Sequence, residues 1–143
     1  MEEAAVLAED VSFMNTHGTA TVYNDEMESK AIHLAGLETV PVHSLKSYFG
    51  HTLGASGVIE SIICIHELKE NVLFGTLGYE KPGVSMPILV QADHQEIPMK
   101  HCIKTASGFG GCNAAIVLTL PAYQKQPSSC LLYTSPSPRD PKT

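Results

Sequence analysis

The chain has 143 residues, of which 43% are hydrophobic and 17% are charged, and its formal net charge is −6. This length is sufficient for one domain with a buried core, and the composition is typical of a soluble globular protein. The acidic balance argues against nucleic-acid binding, and no run of the sequence reaches the roughly 18 consecutive apolar residues of a membrane-spanning helix.

Hydrophobic periodicity and turn residues predict alternating strands and helices along the chain. Helices are predicted at 25–37 and 53–70, and strands at 11–14, 40–45, 71–76, 88–92, 102–106 and 114–120. Asn24 or Asp25 can cap the first helix. The second helix is apolar on more than one face, which indicates that it is buried. This order of elements predicts helices packed on a mixed sheet.

The two ends of the chain differ from the part between them. The residues at 1–10 are rich in alanine and glutamate and are typical of the end of a helix. From about Pro127 the sequence loses its periodicity, and this tail holds four of the nine prolines and the only arginine, Arg139. We interpret residues 1–126 as the domain and 127–143 as a disordered tail, either a translated sequencing adapter or a natural extension.

The cysteines predict the compartment in which the protein works. The four cysteines form no CxxC pair. Cys64 and Cys102 lie in apolar periodic runs, so we expect them to be buried thiols of a reducing compartment. No signal peptide, with a charged segment followed by an apolar one, precedes the first motif. The sequence therefore predicts a cytoplasmic protein.

The first histidine motif runs from Asn15 to Thr19 and reads Asn-Thr-His-Gly-Thr. It follows the first predicted strand, and Asp25 and Glu28 lie one turn apart on the next predicted helix. The small residues let the backbone pass close to a ligand while the His17 ring points inward. A His-Gly-Thr run alone is more often a polar turn, but its extension through Asp25 and Glu28 makes the pattern specific.

The second histidine motif begins at His51 and continues through a glycine-rich run to residue 57. Lys46 precedes it, and Glu60 lies on the helix that follows. A buried lysine needs a counter-charge, which Glu60 can supply. Gly54 and Gly57 each cost a helix about 1 kcal/mol relative to alanine, so we expect them to permit close packing. The alternative is a glycine-weakened surface helix with an incidental histidine.

A third glycine-rich run spans residues 108–113, between two predicted strands, and includes Gly108, Phe109 and Gly110. This run could form a hairpin or a phosphate cradle. It lacks the Gly-Lys-Ser/Thr ending of a P-loop, so nucleotide binding is not expected.

Five of the seven histidines share no ligand spacing, and we expect them to be surface or helix-face residues without a role: His33, His43, His66, His94 and His101. His101 is adjacent to Cys102, but a zinc site needs two further ligands in suitable geometry. The sequence predicts no metal site.

Together, the three glycine-rich loops resemble the carboxy-terminal half of the β-ketoacyl synthases, the thiolase-like condensing enzymes of fatty-acid and polyketide synthesis. The resemblance covers residues 2–121, about the last third of a full synthase. It implies an α/β thiolase-like fold, here the C-terminal half of the duplicated α-β-α-β-α sandwich with a mixed sheet. It also implies a fragment that starts inside a family helix and lacks the half that carries the nucleophilic cysteine. Cys112 matches a family threonine and is not assigned that role.

The resemblance implies a decarboxylative Claisen condensation of an acyl thioester with a malonyl thioester. In that reaction His17 and His51 act as neutral N–H donors to the enolate oxygen, and Lys46 pairs with Glu60. Asn15, Asp25 and Glu28 have supporting roles.

The third loop and the partners also follow from the resemblance. Phe109, flanked by Gly108 and Gly110, gates the acyl pocket and contributes a backbone N–H to the oxyanion hole. The family usually has a second phenylalanine at the position of Ser107, so acyl-chain selectivity is open. The partners implied are acyl carrier protein with acyl and malonyl thioesters, and a second subunit in a homodimer or a heterodimer. No metal or organic cofactor is required, although a structural cation near Asn15, Glu28 and Glu60 is suggested by analogy.

Two other functions remain open at this point. One is a catalytically silent chain-length partner of an active synthase. The other is a thiolase-like domain that serves only as an interaction surface. Retention of both histidines and Lys46 favours the enzyme, although the isolated chain is expected to be inactive.

Overall fold

The strand that precedes His17 lies in the middle of the fold. The structure, a computed structural model, describes residues 2–123, so the predicted tail at 127–143 lies outside the described residues. The strands are β1 Val11–Asn15, β2 Val42–His43, β3 Val72–Leu73, β4 Gln95–Glu96, β5 His101–Gly108 and β6 Cys112–Thr119. The α-helices are α1 Val22–Leu34, α2 Lys46–Phe49 and α3 Ser56–Glu70, and a 3-10 turn at Leu53–Ala55 precedes α3.

The main sheet has four strands in the order β2-β1-β5-β6. β1 runs parallel to β2 and to β5, and β5 pairs antiparallel with β6. Parallel neighbours need a crossover connection, which α1 supplies between β1 and β2. The mixed sheet predicted from the sequence is therefore confirmed. β3 and β4 form a separate antiparallel pair.

The helices cover both faces of the sheet. Phe13 packs with Cys64 and Leu68 of α3, whereas the next residue, Met14, packs with Ile32 of α1. Because successive residues of a strand point to opposite faces, α1 and α3 lie on opposite sides of β1. Cys64 and Cys102 are both fully buried, as the sequence predicted.

Phe13 is the largest of the fully buried side chains. We expect Phe13→Ala to lower the free energy of unfolding by about 3–5 kcal/mol, because the substitution leaves a cavity that the sheet and α3 cannot close. Urea denaturation measures this change. Phe109→Ala is the matched control, since Phe109 is fully exposed and its loss should change stability by less than about 0.5 kcal/mol. Equal stability losses for the two variants would contradict this description of the core.

Several element limits differ from those that the sequence predicted. α1 begins at Val22 rather than at residue 25 and ends at Leu34. The predicted strand at 88–92 has only an isolated bridge between Val42 and Val90. The strands predicted at 40–45 and 71–76 shorten to two residues each. α2 and β4 were not predicted, because elements of four and two residues are too short to give a periodic signal.

The outer side of α3 carries an exposed apolar stripe. Val58, Ile62 and Ile65 are 64%, 52% and 37% exposed. Their spacing places them on one side of the helix. A stripe of this kind is typical of a surface that packs against another part of a protein. Within residues 2–123, no helix has the length and apolar character needed to cross a membrane.

Candidate active site

The two histidine loops meet at the carboxyl ends of two parallel strands. His17 follows β1, and His51 follows α2, the short helix that comes after β2. Carboxyl ends of neighbouring parallel strands lie at the same edge of a sheet, which is why the two loops converge. The rings of His17 and His51 lie edge to face, with centroids 5.0 Å apart and an angle of 82° between their planes. His17 is buried and His51 is exposed.

The contacts of the two rings determine where each neutral imidazole carries its proton. The Lys46 ammonium can only donate, and its Nζ lies 3.3 Å from His17 Nδ1. The backbone N–H of Leu53 donates to His51 Nδ1 at 3.1 Å. Each Nδ1 is therefore an acceptor, and the neutral ring bears its proton on Nε2. Both histidines thus offer an Nε2–H donor.

His17 is held in the neutral form. Burial lowers its pKa from 6.5 to about 4, and the positive charge of Lys46 acts in the same direction. His51 and Lys104 lower this pKa further, and only Glu60 opposes the shift. At neutral pH the His17 ring is therefore an uncharged hydrogen-bond donor.

An NMR pH titration of the histidine rings tests this account. We expect His17 to titrate near pH 4 instead of 6.5. In the unfolded chain the His17 ring binds a proton near pH 6.5, and in the folded chain only near pH 4. The free energy of unfolding should therefore decrease as the pH falls from 6.5 to 4. Lys46→Met should raise the His17 pKa, because it removes the nearest positive charge. A wild-type His17 that titrates at or above its ordinary value would refute the assignment.

A buried group of three charges lies beneath His17. The two oxygens of Glu60 accept one ammonium each, from Lys46 Nζ at 2.8 Å and from Lys104 Nζ at 2.9 Å. The side chains of Glu60 and Lys104 are 0% and 2% exposed. Two ammonium groups against one carboxylate leave a net positive charge. Such a charge favours an anion over the histidine pair.

The sequence analysis missed Lys104. A signal for it was present, because Lys104 lies within the strand predicted at 102–106, where the neighbouring residues Cys102 and Ile103 are apolar. A charged residue among buried strand residues requires a partner. Here that partner is Glu60, and Lys104 also donates to the backbone carbonyl of Thr105.

Glu28 fixes the backbone of the first loop. Its carboxylate accepts the backbone N–H groups of His17 at 2.7 Å and Gly18 at 2.8 Å. It also accepts Asn24 Nδ2 at 2.9 Å and Thr105 Oγ1 at 3.1 Å. Four donors on one buried carboxylate hold the loop, and with it the His17 ring, in place.

Gly18 is required where it stands. Its φ is +48°, in the left-handed region, and a Cβ at this position would lie 2.6 Å from the side chain of Ser44. A side chain would therefore push the loop away from β2. Steric crowding and the positive φ together explain why the His-Gly-Thr run has glycine at this position.

Asp25 and Asn15 have different surroundings from Glu28. Burial raises the pKa of Asp25, and its hydrogen bond from Asn24 opposes the shift. Asn15 is fully buried, and its amide has no hydrogen-bond partner within the described part of the chain. The cation suggested by analogy does not fit these contacts, because donors already occupy both oxygens of Glu28 and of Glu60.

A cavity of about 680 Å³ opens beside His51, and His17 is not among the residues that line it. His51, Lys46 and Gly18 line one side of it, and the loop at 76–84 lines another. The space has the size of a small-molecule site, and its lining includes both acidic and basic side chains.

Phe109 lies apart from this cavity. It is at the tip of the β5–β6 hairpin, fully exposed, and is not among the residues that line the cavity. Gly110 and Gly111 have φ values of +83° and +78°, which the hairpin turn requires. The run at 108–113 is therefore a hairpin. We expected His17, His51 and the backbone of Phe109 to line one cavity, but only His51 does so in the structure of this chain.

The expectation that the other histidines lie at the surface is wrong for two of them. His43 is 1% exposed and His101 is 8% exposed. The side chain of His43 points from β2 into the core and packs against Phe13, with ring centroids 5.4 Å apart. His101 Nδ1 forms a hydrogen bond of 2.8 Å with Thr119 Oγ1 of the paired strand. His66 and His94 are exposed, as expected.

The chain was compared with protein families and with known proteins. Residues 1–80 match the family model for the C-terminal domain of β-ketoacyl synthases. The chain belongs to the β-ketoacyl synthase family. This confirms the resemblance inferred from the three loops, and it fixes the chain as the C-terminal part of the family's fold.

Individual relatives agree with this membership. The chain is 34% identical to a putative polyketide β-ketoacyl synthase of Streptomyces cyaneus, over 88% of this chain and 31% of the relative. It is also 34% identical to a 3-oxoacyl-[acyl-carrier-protein] synthase 2 of Vibrio harveyi, over 82% of this chain and 29% of the relative. The chain thus spans about a third of the length of the curated relatives that it matches.

A solved structure supports the fold. This structure is a type II polyketide ketosynthase in complex with its acyl carrier protein, and it superposes with a TM-score of 0.74 at 29% identity. The match covers 82% of this chain and 30% of the ketosynthase chain. The predicted thiolase-like α/β fold with a mixed sheet is therefore confirmed.

Proposed function

We propose that this chain is the carboxy-terminal part of a β-ketoacyl-acyl carrier protein synthase that performs a decarboxylative Claisen condensation. The observation that carries the proposal is the pair of imidazoles, His17 and His51, whose rings lie 5.0 Å apart beside a buried, net positive cluster. Such a site suits an oxygen that gains negative charge during a reaction.

The proposed reaction begins on the part of the synthase that carries the nucleophilic cysteine. The cysteine thiolate attacks the acyl thioester of acyl carrier protein. The acyl group is transferred to the cysteine, and the thiolate of the carrier protein leaves. The malonyl thioester then loses CO2, and the electron pair of the broken bond passes into an enolate. The enolate carbon attacks the acyl thioester, and the cysteine thiolate leaves as the new carbon–carbon bond forms.

His17 and His51 donate to the thioester oxygen on which the enolate charge develops. Loss of one such donor typically costs about 3–4 kcal/mol of barrier. Lys46 acts through His17, because its ammonium occupies Nδ1 and keeps the Nε2 proton directed at the substrate. Glu60 and Lys104 hold Lys46 in place. Glu28 positions the His17 backbone, with Asn15 and Asp25 in supporting positions.

None of the cysteines in the described residues suits the nucleophile. A hydrogen bond with Cys102, together with burial, raises the pKa of Cys64. Cys102 lies in the same core cluster, and Cys112 is exposed next to the turn of the β5–β6 hairpin. The nucleophile of this proposal therefore belongs to another part of the synthase, which would also cover the apolar stripe of Val58, Ile62 and Ile65.

The partners follow from the reaction. Acyl carrier protein delivers the acyl and malonyl groups, in keeping with the carrier protein seen with the related ketosynthase. A second subunit, identical or related, completes a homodimer or heterodimer. Phe109 with Gly108 and Gly110 gates the acyl chain once the remaining part of the synthase packs against the hairpin. The cytoplasm remains the expected compartment.

The function is tested by supplying the full-length synthase with acyl and malonyl carrier proteins and following the products by mass spectrometry. We expect an acyl-cysteine intermediate and a β-ketoacyl carrier protein lengthened by two carbons. The alternative is a silent chain-length partner. A full-length protein that forms neither species with short, medium or long acyl chains would contradict the proposal and favour that alternative.

A further inference from the structure

A second cluster of chemically reactive side chains lies in the core, on the α3 face of the sheet. His43 stands at the end of β2, and Cys64 and Glu67 lie one turn apart on the same face of α3. One ligand atom from each of the three lies within 4.8 Å of the other two. The three residues are 1%, 0% and 2% exposed. The condensation reaction proposed for the histidine loops does not involve these three residues.

The polar atoms of this cluster make few hydrogen bonds, and His43 and Glu67 contact each other as a long ion pair. Glu67 Oε1 accepts the backbone N–H of Phe74 at 2.9 Å. Glu67 Oε2 and both ring nitrogens of His43 have no hydrogen bond among the described residues. Leaving such groups buried and unsatisfied costs about 1–3 kcal/mol each. Two of these atoms, His43 Nε2 and Glu67 Oε2, lie close enough together for one bound ion to contact both.

The spacing of His43 and Glu67 indicates what that ligand is. His43 Nε2 lies 3.4 Å from Glu67 Oε2. This exceeds the roughly 2.7–2.9 Å of a charge-assisted hydrogen bond. It agrees with the separation of about 3.4 Å between a nitrogen and an oxygen that are each about 2.0–2.1 Å from one tetrahedral zinc ion.

A further thiol lies nearby on the sheet. Cys102 of β5 is fully buried in the same core cluster as Cys64, outside the group of three ligand atoms. Imidazole, thiolate and carboxylate together are a donor set for zinc, whereas magnesium and calcium prefer oxygen ligands alone. The Cys64 thiolate and the Glu67 carboxylate would balance the charge of Zn²⁺.

We propose that His43, Cys64 and Glu67, with Cys102 as the fourth ligand, form a buried structural zinc site. The site joins β2, α3 and β5, so the ion would link both ends of the loop that carries His51 to the central sheet. Four protein ligands and the absence of solvent exposure indicate a closed structural site and not a catalytic one. The proposal is independent of the proposed condensation, because its test measures metal and not product.

The test uses the full-length protein, without an affinity tag, after removal of metal by a chelator under reducing conditions. We expect it to bind one Zn²⁺ per chain and to unfold at a higher temperature with the ion than without it. Co²⁺ should give the visible bands of tetrahedral coordination and the near-ultraviolet absorption of a cobalt–thiolate bond. Absence of stoichiometric Zn²⁺ binding by the folded wild-type protein would overturn the proposal.

Variants locate the site. Cys64→Ser and Glu67→Gln should each weaken Zn²⁺ binding by more than about 100-fold, beyond the loss that an outer-shell partner causes. Cys112→Ser is the matched control, since Cys112 is exposed and outside the cluster, and it should bind Zn²⁺ as the wild type does. Circular dichroism of each metal-free variant verifies that it is folded. Unchanged Zn²⁺ affinity and an unchanged cobalt–thiolate band in folded Cys64→Ser would also overturn the proposal.

Discussion

His51→Ala in the full-length synthase is expected to lower the condensation rate by about 10²–10³-fold, the usual effect of losing one oxyanion donor. The reason is geometric, since the Leu53 N–H on Nδ1 leaves the His51 Nε2–H as the group directed at the substrate. His51→Gln should retain part of the rate, because its amide offers an N–H donor. Steady-state kinetics with malonyl carrier protein measure the change in kcat.

The control for this variant is His66→Ala, which removes an exposed histidine of α3. It should leave the rate unchanged. Acylation of the cysteine, measured by mass spectrometry, should also proceed in His51→Ala, because the enolate forms only after that step. A full-length His51→Ala enzyme with a wild-type rate would show that the histidine role is misassigned.

The second large effect concerns the 143-residue chain by itself. We expect it to show no acyl-enzyme formation and no decarboxylation of malonyl carrier protein. The histidine pair can stabilise an enolate only when the malonyl thioester is held above it, and His51 is open to solvent in this chain. Mass spectrometry and CO2 release measure both activities, and robust condensation by the chain alone would contradict the account.

The same chain should also aggregate, because Val58, Ile62 and Ile65 are exposed on α3. Ile62→Lys should reduce the aggregation of the isolated chain and weaken the full-length synthase, since the same side chain would there pack against the remaining part. Lys69→Ala, at an exposed position of the same helix, is a control that should change neither. Size-exclusion chromatography separates these outcomes.

The sequence predicted those site residues that lie in or near the two histidine motifs. His17, Lys46, His51 and Glu60 could be named because the two glycine-rich loops resemble those of the β-ketoacyl synthases. The structure brings these loops to one edge of the parallel strands. The apolar strand neighbours of Lys104 indicated its burial, but its partner could not be predicted. Only the fold places Lys104 against Glu60, and a long-range contact of this kind leaves no local pattern.

Burial of polar residues was the weakest part of the sequence prediction. His43 was expected at the surface, yet β2 turns it toward Phe13 and α3 places Glu67 opposite. A single histidine in a two-residue strand has no periodic signal of its own. The position of Phe109 was predicted from the resemblance, and in this chain the hairpin leaves it exposed.

The most direct measurement of the central claim is the rate of CO2 release from malonyl carrier protein by the full-length synthase and by His17→Ala, His51→Ala and the double variant. Two neutral donors that bind one enolate oxygen act as a unit, so each single loss should cost about 10²–10³-fold and the double loss little more. Single variants that release CO2 at the wild-type rate would contradict the claim that His17 and His51 stabilise the enolate.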